Sequence, residues 1–192
     1  MNVLVREGLD GLSVRKVAAE AGISVGAVQH HYASKTDLLV ASAEHGTTQF
    51  TALAETLTQQ ALEKQGPEMA LAAFCELLAN ASPEPECTGD DTTATIIWLW
   101  YAAKATRPGA VAEAFAVFWS RTEEYLADAI ARIYPVLDAT EEAAYLLAVL
   151  DGIAVARASE PQRMPLPRAR KLVHRHLRFL SEQQIAQASG KS

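Results

Sequence analysis

Apolar residues recur every three or four positions along nearly the whole chain of 192 residues, and no segment alternates apolar and polar residues as a half-buried strand does. This spacing places the apolar side chains on one face of an α-helix. Prolines separate the segments, as at Arg107-Pro108-Gly109 and Glu160-Pro161, because a proline ends one helix or begins the next. The sequence therefore predicts an all-α protein.

The longer predicted helices are defined by their apolar faces and by the breaks between them. They span residues 35–64, 68–79, 91–105, 108–134, 140–158 and 167–187. Asp90-Asp91 is expected to cap the third of these helices rather than to form a carboxylate pair.

Two short helices near the N-terminus are joined by a glycine. Ser13 is expected to cap the first, and Gly22 ends it in the position that favours a left-handed residue. Ser24 is expected to cap the second. Two short helices joined by such a turn are a helix-turn-helix, whose second helix enters the major groove of DNA by its N-terminal end.

The residues around this turn suit contact with DNA. Small residues follow the second cap, which allows close backbone approach, and polar side chains come next. Gln29 can bond adenine, whereas Tyr32 and Lys35 suit phosphate oxygens. The predicted DNA-binding residues are Ser13, Arg15, Ser24, Val25, Gly26, Ala27, Gln29, His30, Tyr32 and Lys35.

The net charge of −6 argues against a basic surface that binds nucleic acid indiscriminately. Only two cysteines are present, so neither a disulfide framework nor a cysteine metal site is expected. No nucleophile motif or glycine-rich phosphate loop appears, and we expect no enzyme activity and no cofactor. The apolar runs fall short of a membrane span and no leader opens the chain, so the cytoplasm is the expected location.

Residues 13–39, SVRKVAAEAGISVGAVQHHYASKTDLL, resemble the DNA-binding signature of the TetR family of bacterial transcription factors. Gln29 departs from it, since most members have tyrosine there. The segments LWYAAKATRPGAVAEAFAVFWSRTEEYL and LLAVLDGIAVARASEPQRMPLPRARKLVHRHLRFL more loosely resemble the BetI-like branch. The resemblance implies a homodimeric repressor of operator DNA whose C-terminal domain binds a small molecule.

The segment before the motif is short for this family. Val3, Leu4 and Val5 are expected to represent only the last turn of a first helix. Either the motif stands on a shortened support or the true start lies upstream. We favour a start that lies upstream, with the present sequence truncated, because loss of an amphipathic helix would uncover Val17, Val28 and Leu38.

Aromatic residues gather on two predicted neighbouring helices. At helical spacing they fit a plain core, yet three tryptophans within a short stretch also suit a pocket for an apolar or cationic organic effector. We expect the pocket between the helices 91–105 and 108–134, above the long helix that begins at Lys35. The predicted effector-binding residues are Trp98, Tyr101, Phe115, Phe118, Trp119 and Tyr125.

The last two helices carry apolar stripes that predict a dimer interface. Asp151 lies in an apolar stretch, where an unpaired charge is costly. It either pairs across the dimer, beside Gly152, or anchors a cationic ligand, and we favour the pairing. The predicted interface residues are Ala148, Asp151, Gly152, Val155, Ala156, Leu172, Val173, Leu177 and Leu180.

Two functions are compatible with these features of the sequence. The first is a ligand-responsive repressor, with a helix-turn-helix domain at residues 1–45 and a domain for ligand binding and dimerisation at residues 46–192. The second is a helical ligand-binding or scaffold protein without effective DNA binding, which the slightly acidic N-terminal region allows.

Overall fold

The computed structural model describes residues 2–82 and 92–190, and these residues form nine α-helices and no strand. The all-α prediction is therefore confirmed for the described chain, while the expected cap at Asp90-Asp91 lies outside it. The helices are α1 (Asn2–Gly11), α2 (Val14–Ala21), α3 (Val25–His31), α4 (Lys35–Gln65), α5 (Pro67–Leu78), α6 (Thr93–Ala105), α7 (Ala110–Ile133), α8 (Ala139–Ser159) and α9 (Leu166–Gly190).

Local hydrogen bonds explain where several helices begin. At the start of α4, the Ser34 hydroxyl accepts from the Asp37 N–H at 3.1 Å, and the Asp37 carboxylate accepts from the Ser34 N–H at 2.8 Å. This reciprocal pair is a capping box, which satisfies two backbone donors that the helix leaves without partners. The Asp138 carboxylate also caps α8, by accepting from the Glu141 N–H at 3.3 Å.

The first helix is longer than the sequence predicts. Instead of a single last turn, α1 covers Asn2–Gly11 and is kinked at Gly8, where φ is 71° and ψ is −178°. An L side chain rarely adopts that backbone conformation. The ring of Trp100 lies 3.5 Å from the position that a Cβ of Gly8 would occupy. The kink in α1 therefore accommodates an aromatic ring from α6.

The chain divides into two compact units. The head unit comprises residues 2–50 and 96–118, and the body unit comprises the described residues of 51–95 and 119–192. The first segment of the head unit therefore ends at Phe50 rather than at residue 45. Its second segment contains most of α6 and the start of α7. A single boundary along the sequence cannot assign residues 96–118 to the same unit as residues 2–50.

The head unit has its own hydrophobic core, to which helices α1 to α4, α6 and α7 all contribute. Leu4 is almost completely buried, and the rings of Trp100 and Phe115 pack against the cluster. The buried members are Val3, Leu4, Leu12, Ala18, Val28, Leu38, Leu39, Tyr101 and Val111. This core holds α2 and α3 in a fixed arrangement.

The body unit is packed around buried leucine, isoleucine and valine side chains from α7, α8 and α9, including Leu126, Leu150 and Leu180. A polar junction joins α5 to α9: the buried Glu76 carboxylate accepts from Arg170 Nε at 2.9 Å and lies 2.7 Å from His174 Nε2. Two partners compensate the cost of burying that charge. Within the described chain, no helix is both long enough and apolar enough to cross a membrane.

Candidate DNA-reading surface

Serine and glycine residues define the turn between α2 and α3. The Ser13 hydroxyl accepts from the Lys16 N–H at 3.3 Å, and the Ser24 hydroxyl accepts from the Ala27 N–H at 3.1 Å. Between them, Gly22 adopts the left-handed conformation, with φ 66° and ψ 27°. These are the two caps and the turn that the sequence predicts, and they form a helix-turn-helix.

One face of α3 is buried and the other is open. Val28 is 3% exposed in the head core and fixes the rotation of the helix. The opposite face presents Ser24, Val25, Gly26, Ala27, Gln29 and His30 to solvent. The small residues lie at the N-terminal end and the polar ones follow. The exposed face therefore allows the backbone of α3 to approach DNA closely and offers hydrogen-bonding groups to the bases.

Tyr32 lies differently from its predicted neighbours. It ends α3, where its N–H donates to the Val28 carbonyl oxygen, and its half-buried ring packs against the head core. Periodicity placed Tyr32 beside the exposed polar residues, but the extended backbone at φ −132° turns the residue inward. Its ring therefore contributes to packing of the head unit.

Three cations of the head unit are held by other groups of the chain. Arg6 Nη2 lies 3.0 Å from Glu20 Oε2, and Lys16 forms an ion pair with Glu7. Lys35 Nζ, predicted on a phosphate, donates to the Asp10 carbonyl oxygen at 2.9 Å. It therefore connects the first turn of α4 to the C-terminal end of α1.

The ion pairs shift the titration of both carboxylates. The hydrogen bond from Lys16 holds the pKa of Glu7 below its ordinary value. The pKa of Glu20 is also lowered, first by a hydrogen bond from Asn2 and then by one from Arg6. The pKa of Arg6 is raised, mainly by its hydrogen bond to Glu20. Both glutamates are therefore stabilised as anions beside their cations.

Tyr101, predicted in the effector pocket, is instead a core residue of the head unit. Its hydroxyl donates to the Leu39 carbonyl oxygen at 3.0 Å and lies 2.7 Å from the Ser42 hydroxyl oxygen. Burial raises the pKa of Tyr101. The role of Ser42 was not predicted, since a serine within a helix gives no sign of a partner that lies 59 residues further along the chain.

The other predicted effector residues fall in both units. In the head unit, the ring of Phe118 meets that of Phe50 edge-on, with centroids 5.6 Å apart. In the body unit, Tyr125 is 46% exposed and meets Phe74 edge-on at 4.6 Å. Trp98, Phe115 and Trp119 are half-buried.

The predicted dimer residues separate into two groups. Ala156, Val173, Leu177 and Leu180 are buried by their own chain, because they face the core between the helices of the body unit. Ala148 and Gly152 are exposed, while Asp151, Val155 and Leu172 are half-buried.

Two exposed aromatic residues near the predicted dimer face were not predicted. Tyr145 is 59% and Phe179 is 49% exposed, and the ring of His176 lies between theirs. The centroid of His176 is 5.3 Å from that of Tyr145 and 6.2 Å from that of Phe179. The three rings therefore form one aromatic group across α8 and α9.

Comparison with known families agrees with this geometry. The family described as bacterial regulatory proteins of the tetR family matches residues 1–42, which contain the helix-turn-helix. The BetI-type transcriptional repressor C-terminal family matches residues 67–181. The chain belongs to the TetR family.

Individual TetR-family relatives cover most of the chain. The transcriptional regulator BetI 2 of Chromohalobacter salexigens is 27% identical over 170 residues, which are 88% of this chain and 79% of that protein. The solved structure of the multidrug binding protein EbrR complexed with malachite green is 26% identical, with a TM-score of 0.63, and covers 91% of each chain. A transcriptional regulator from Rhodococcus sp. Rha1 superposes with a TM-score of 0.76 at 23% identity, covering 95% of this chain and 91% of that one, and supports the fold alone.

Membership of the TetR family gives this chain its general function. It is a DNA-binding transcriptional regulator with a helix-turn-helix near its N-terminus and a BetI-type repressor domain after it. The family consists of transcriptional regulators, which are not enzymes.

Proposed function

We propose that this TetR-family protein represses transcription by inserting the exposed face of α3 into the major groove of an operator. The observation that carries the proposal is that face itself: small residues at a capped N-terminus, followed by exposed Gln29 and His30. Gln29 suits bidentate bonding to adenine, and Arg15, exposed on α2, suits a phosphate. Binding of an operator on cellular DNA is proposed to take place in the cytoplasm.

A small organic effector is proposed to release the operator. The aromatic residues of α6 and of the start of α7 supply the apolar and π surfaces that such a ligand needs, with Trp98 and Phe118 of the head unit as the main candidates. The relative EbrR was solved with malachite green, a dye, in a protein described as multidrug binding. An apolar or cationic aromatic compound is therefore the proposed effector class.

The protein is proposed to act as a homodimer through α8 and α9. Ala148 and Gly152 are exposed on α8, and their small size allows close approach of another helix. His176 Nε2 is buried but has no hydrogen-bond partner among the described residues. When a second copy covers this face, the dimer carries two helix-turn-helix units. Such a dimer is proposed to bind an operator with two half-sites about 34 Å apart or slightly more.

The test is a footprinting experiment with DNA from upstream of the protein's own gene, titrated with and without malachite green. We expect a protected site with two half-sites, and weaker protection when the dye is present. Protection that never forms at micromolar protein would favour the alternative, a helical ligand-binding protein without effective DNA binding. Protection that forms but is unchanged by malachite green would exclude this class of dye as the effector.

A further inference from the structure

We propose that Glu7 and Glu20 limit the sequence-independent DNA binding of the head unit, because they keep Lys16 and Arg6 from binding DNA phosphates. The proposal rests on the proposed function, since it assumes that the helix-turn-helix faces the DNA. It concerns which cations of the head unit are available to the DNA backbone, and therefore how strongly the protein binds DNA of any sequence.

The contacts of the two carboxylates are specific. Glu20 accepts from Arg6 Nη2 at 3.0 Å and from Asn2 Nδ2 at 3.1 Å. Glu7 accepts from Lys16 Nζ and also lies 3.7 Å from Arg6 Nε. The Glu7 and Glu20 side chains are 27% and 33% exposed. Both carboxylates therefore join α1 to α2 and remain open to solvent beside the cations.

The position of Lys16 makes this pairing relevant to DNA. Lys16 lies in the first turn of α2, and in a helix-turn-helix that first helix crosses the phosphate backbone. An exposed ion pair is weak and opens readily. When the pair opens, the Glu7 carboxylate still lies near α2, where its repulsion of an approaching phosphate offsets the attraction of the ammonium group. The pair therefore acts on DNA as a nearly neutral group.

The remaining cations of this region are few. Within the described residues 2–50, the lysines and arginines are Arg6, Arg15, Lys16 and Lys35. Arg6 and Lys16 have carboxylate partners and Lys35 has a backbone carbonyl, which leaves Arg15 without an ion pair or hydrogen bond among the described residues. Each phosphate neutralised contributes about −0.9 to the slope of log K against log salt concentration. Weak binding to DNA of any sequence follows from so few available cations.

The experiment measures binding of the full-length protein to a labelled duplex of random sequence, by fluorescence anisotropy between about 50 and 200 mM salt. Glu7→Gln and Glu20→Gln keep the shape of the side chain and one acceptor oxygen but remove its charge. We expect each to tighten binding at the lowest salt by roughly tenfold and to steepen the salt slope by about 0.9 per head unit. Glu113→Gln, which removes an exposed charge elsewhere in the head unit, is the matched control and should leave the slope unchanged.

A double variant tests whether the gain runs through the released cation. Glu7→Gln combined with Lys16→Gln should return the slope to that of the wild type. The proposal would be overturned if Glu7→Gln and Glu20→Gln had the same salt slope as Glu113→Gln. It would also be overturned if the slope of the double variant stayed as steep as that of Glu7→Gln. Arg15→Gln tests separately whether α2 faces DNA, as the proposed function requires. If it does, the salt slope of Arg15→Gln should flatten by about 0.9 per head unit, whatever the result for the two glutamates.

Discussion

The Tyr101 hydroxyl donates to the carbonyl oxygen of Leu39 at 3.0 Å, and this bond joins α6 to α4 inside the head unit. Leu39 lies in the second turn of α4, shortly after the reading helix α3. The buried phenol therefore fixes α6 to the helix on which the reading surface is built. Residues far along the chain thus become part of the DNA-binding unit.

Tyr101→Phe keeps the ring but removes this hydrogen bond. We expect the free energy of unfolding to fall by about 0.5–1.5 kcal/mol, because a buried hydrogen bond is lost while packing is retained. Urea unfolding followed by circular dichroism measures the change. Tyr125→Phe, whose residue is 46% exposed, is the matched control and should leave stability within experimental error. Equal stability of Tyr101→Phe and wild type would contradict the assigned role.

Asp151 is expected to make the stability of the isolated chain depend on pH. Burial raises its pKa from 3.8 to about 6, so between these values the folded chain binds more protons than the unfolded chain. Its contribution to stability is therefore complete below the lower pKa and is lost as pH rises through the higher one. Asp151→Asn should flatten the stability curve between about pH 4 and 6, measured by urea unfolding at concentrations where the protein is monomeric.

Replacement of Asp151 should also raise stability near neutral pH, since the neutral amide carries no desolvation cost for a charge. An Asp151→Asn curve that runs parallel to the wild-type curve would contradict the raised pKa. Glu141→Gln, at an exposed position near the start of α8, controls for the change in net charge.

Ala148→Glu tests the proposed dimer face. Ala148 is exposed in one chain, so the substitution should leave the fold of that chain intact. A glutamate at the centre of a covered face would bury an unpaired charge, and we expect the dimer dissociation constant to rise at least roughly tenfold. Sedimentation equilibrium measures it. Ala131→Glu, at an exposed position of α7, should dimerise like the wild type, and equal dimerisation of both variants would exclude this face.

The sequence predicts the helices well because their signals are local. Ser13, Gly22 and Ser24 define two helix ends through contacts within a few residues, and the chain itself contains that information. Apolar spacing similarly indicates which face of each helix is buried.

Contacts between distant helices could not be predicted in this way. Glu76 meets Arg170, 94 residues along the chain, and Tyr101 bonds Leu39 across 62 residues. Helical spacing marks Tyr101 as facing inward but does not identify the helix that it faces. For the same reason, Leu180 was predicted at a dimer interface although its own chain buries it completely. A buried stripe looks the same in sequence whether one chain or two cover it.

The most direct test of operator reading by α3 is DNA binding by Gln29→Ala, measured by fluorescence anisotropy against the footprinted site and its single-base variants. Gln49→Ala, at an exposed position of α4, is the control and should bind like the wild type. We predict that Gln29→Ala loses discrimination at one base position per half-site, worth about 1–3 kcal/mol. Retention of the wild-type affinity and base preference by Gln29→Ala would contradict the claim that α3 reads the operator.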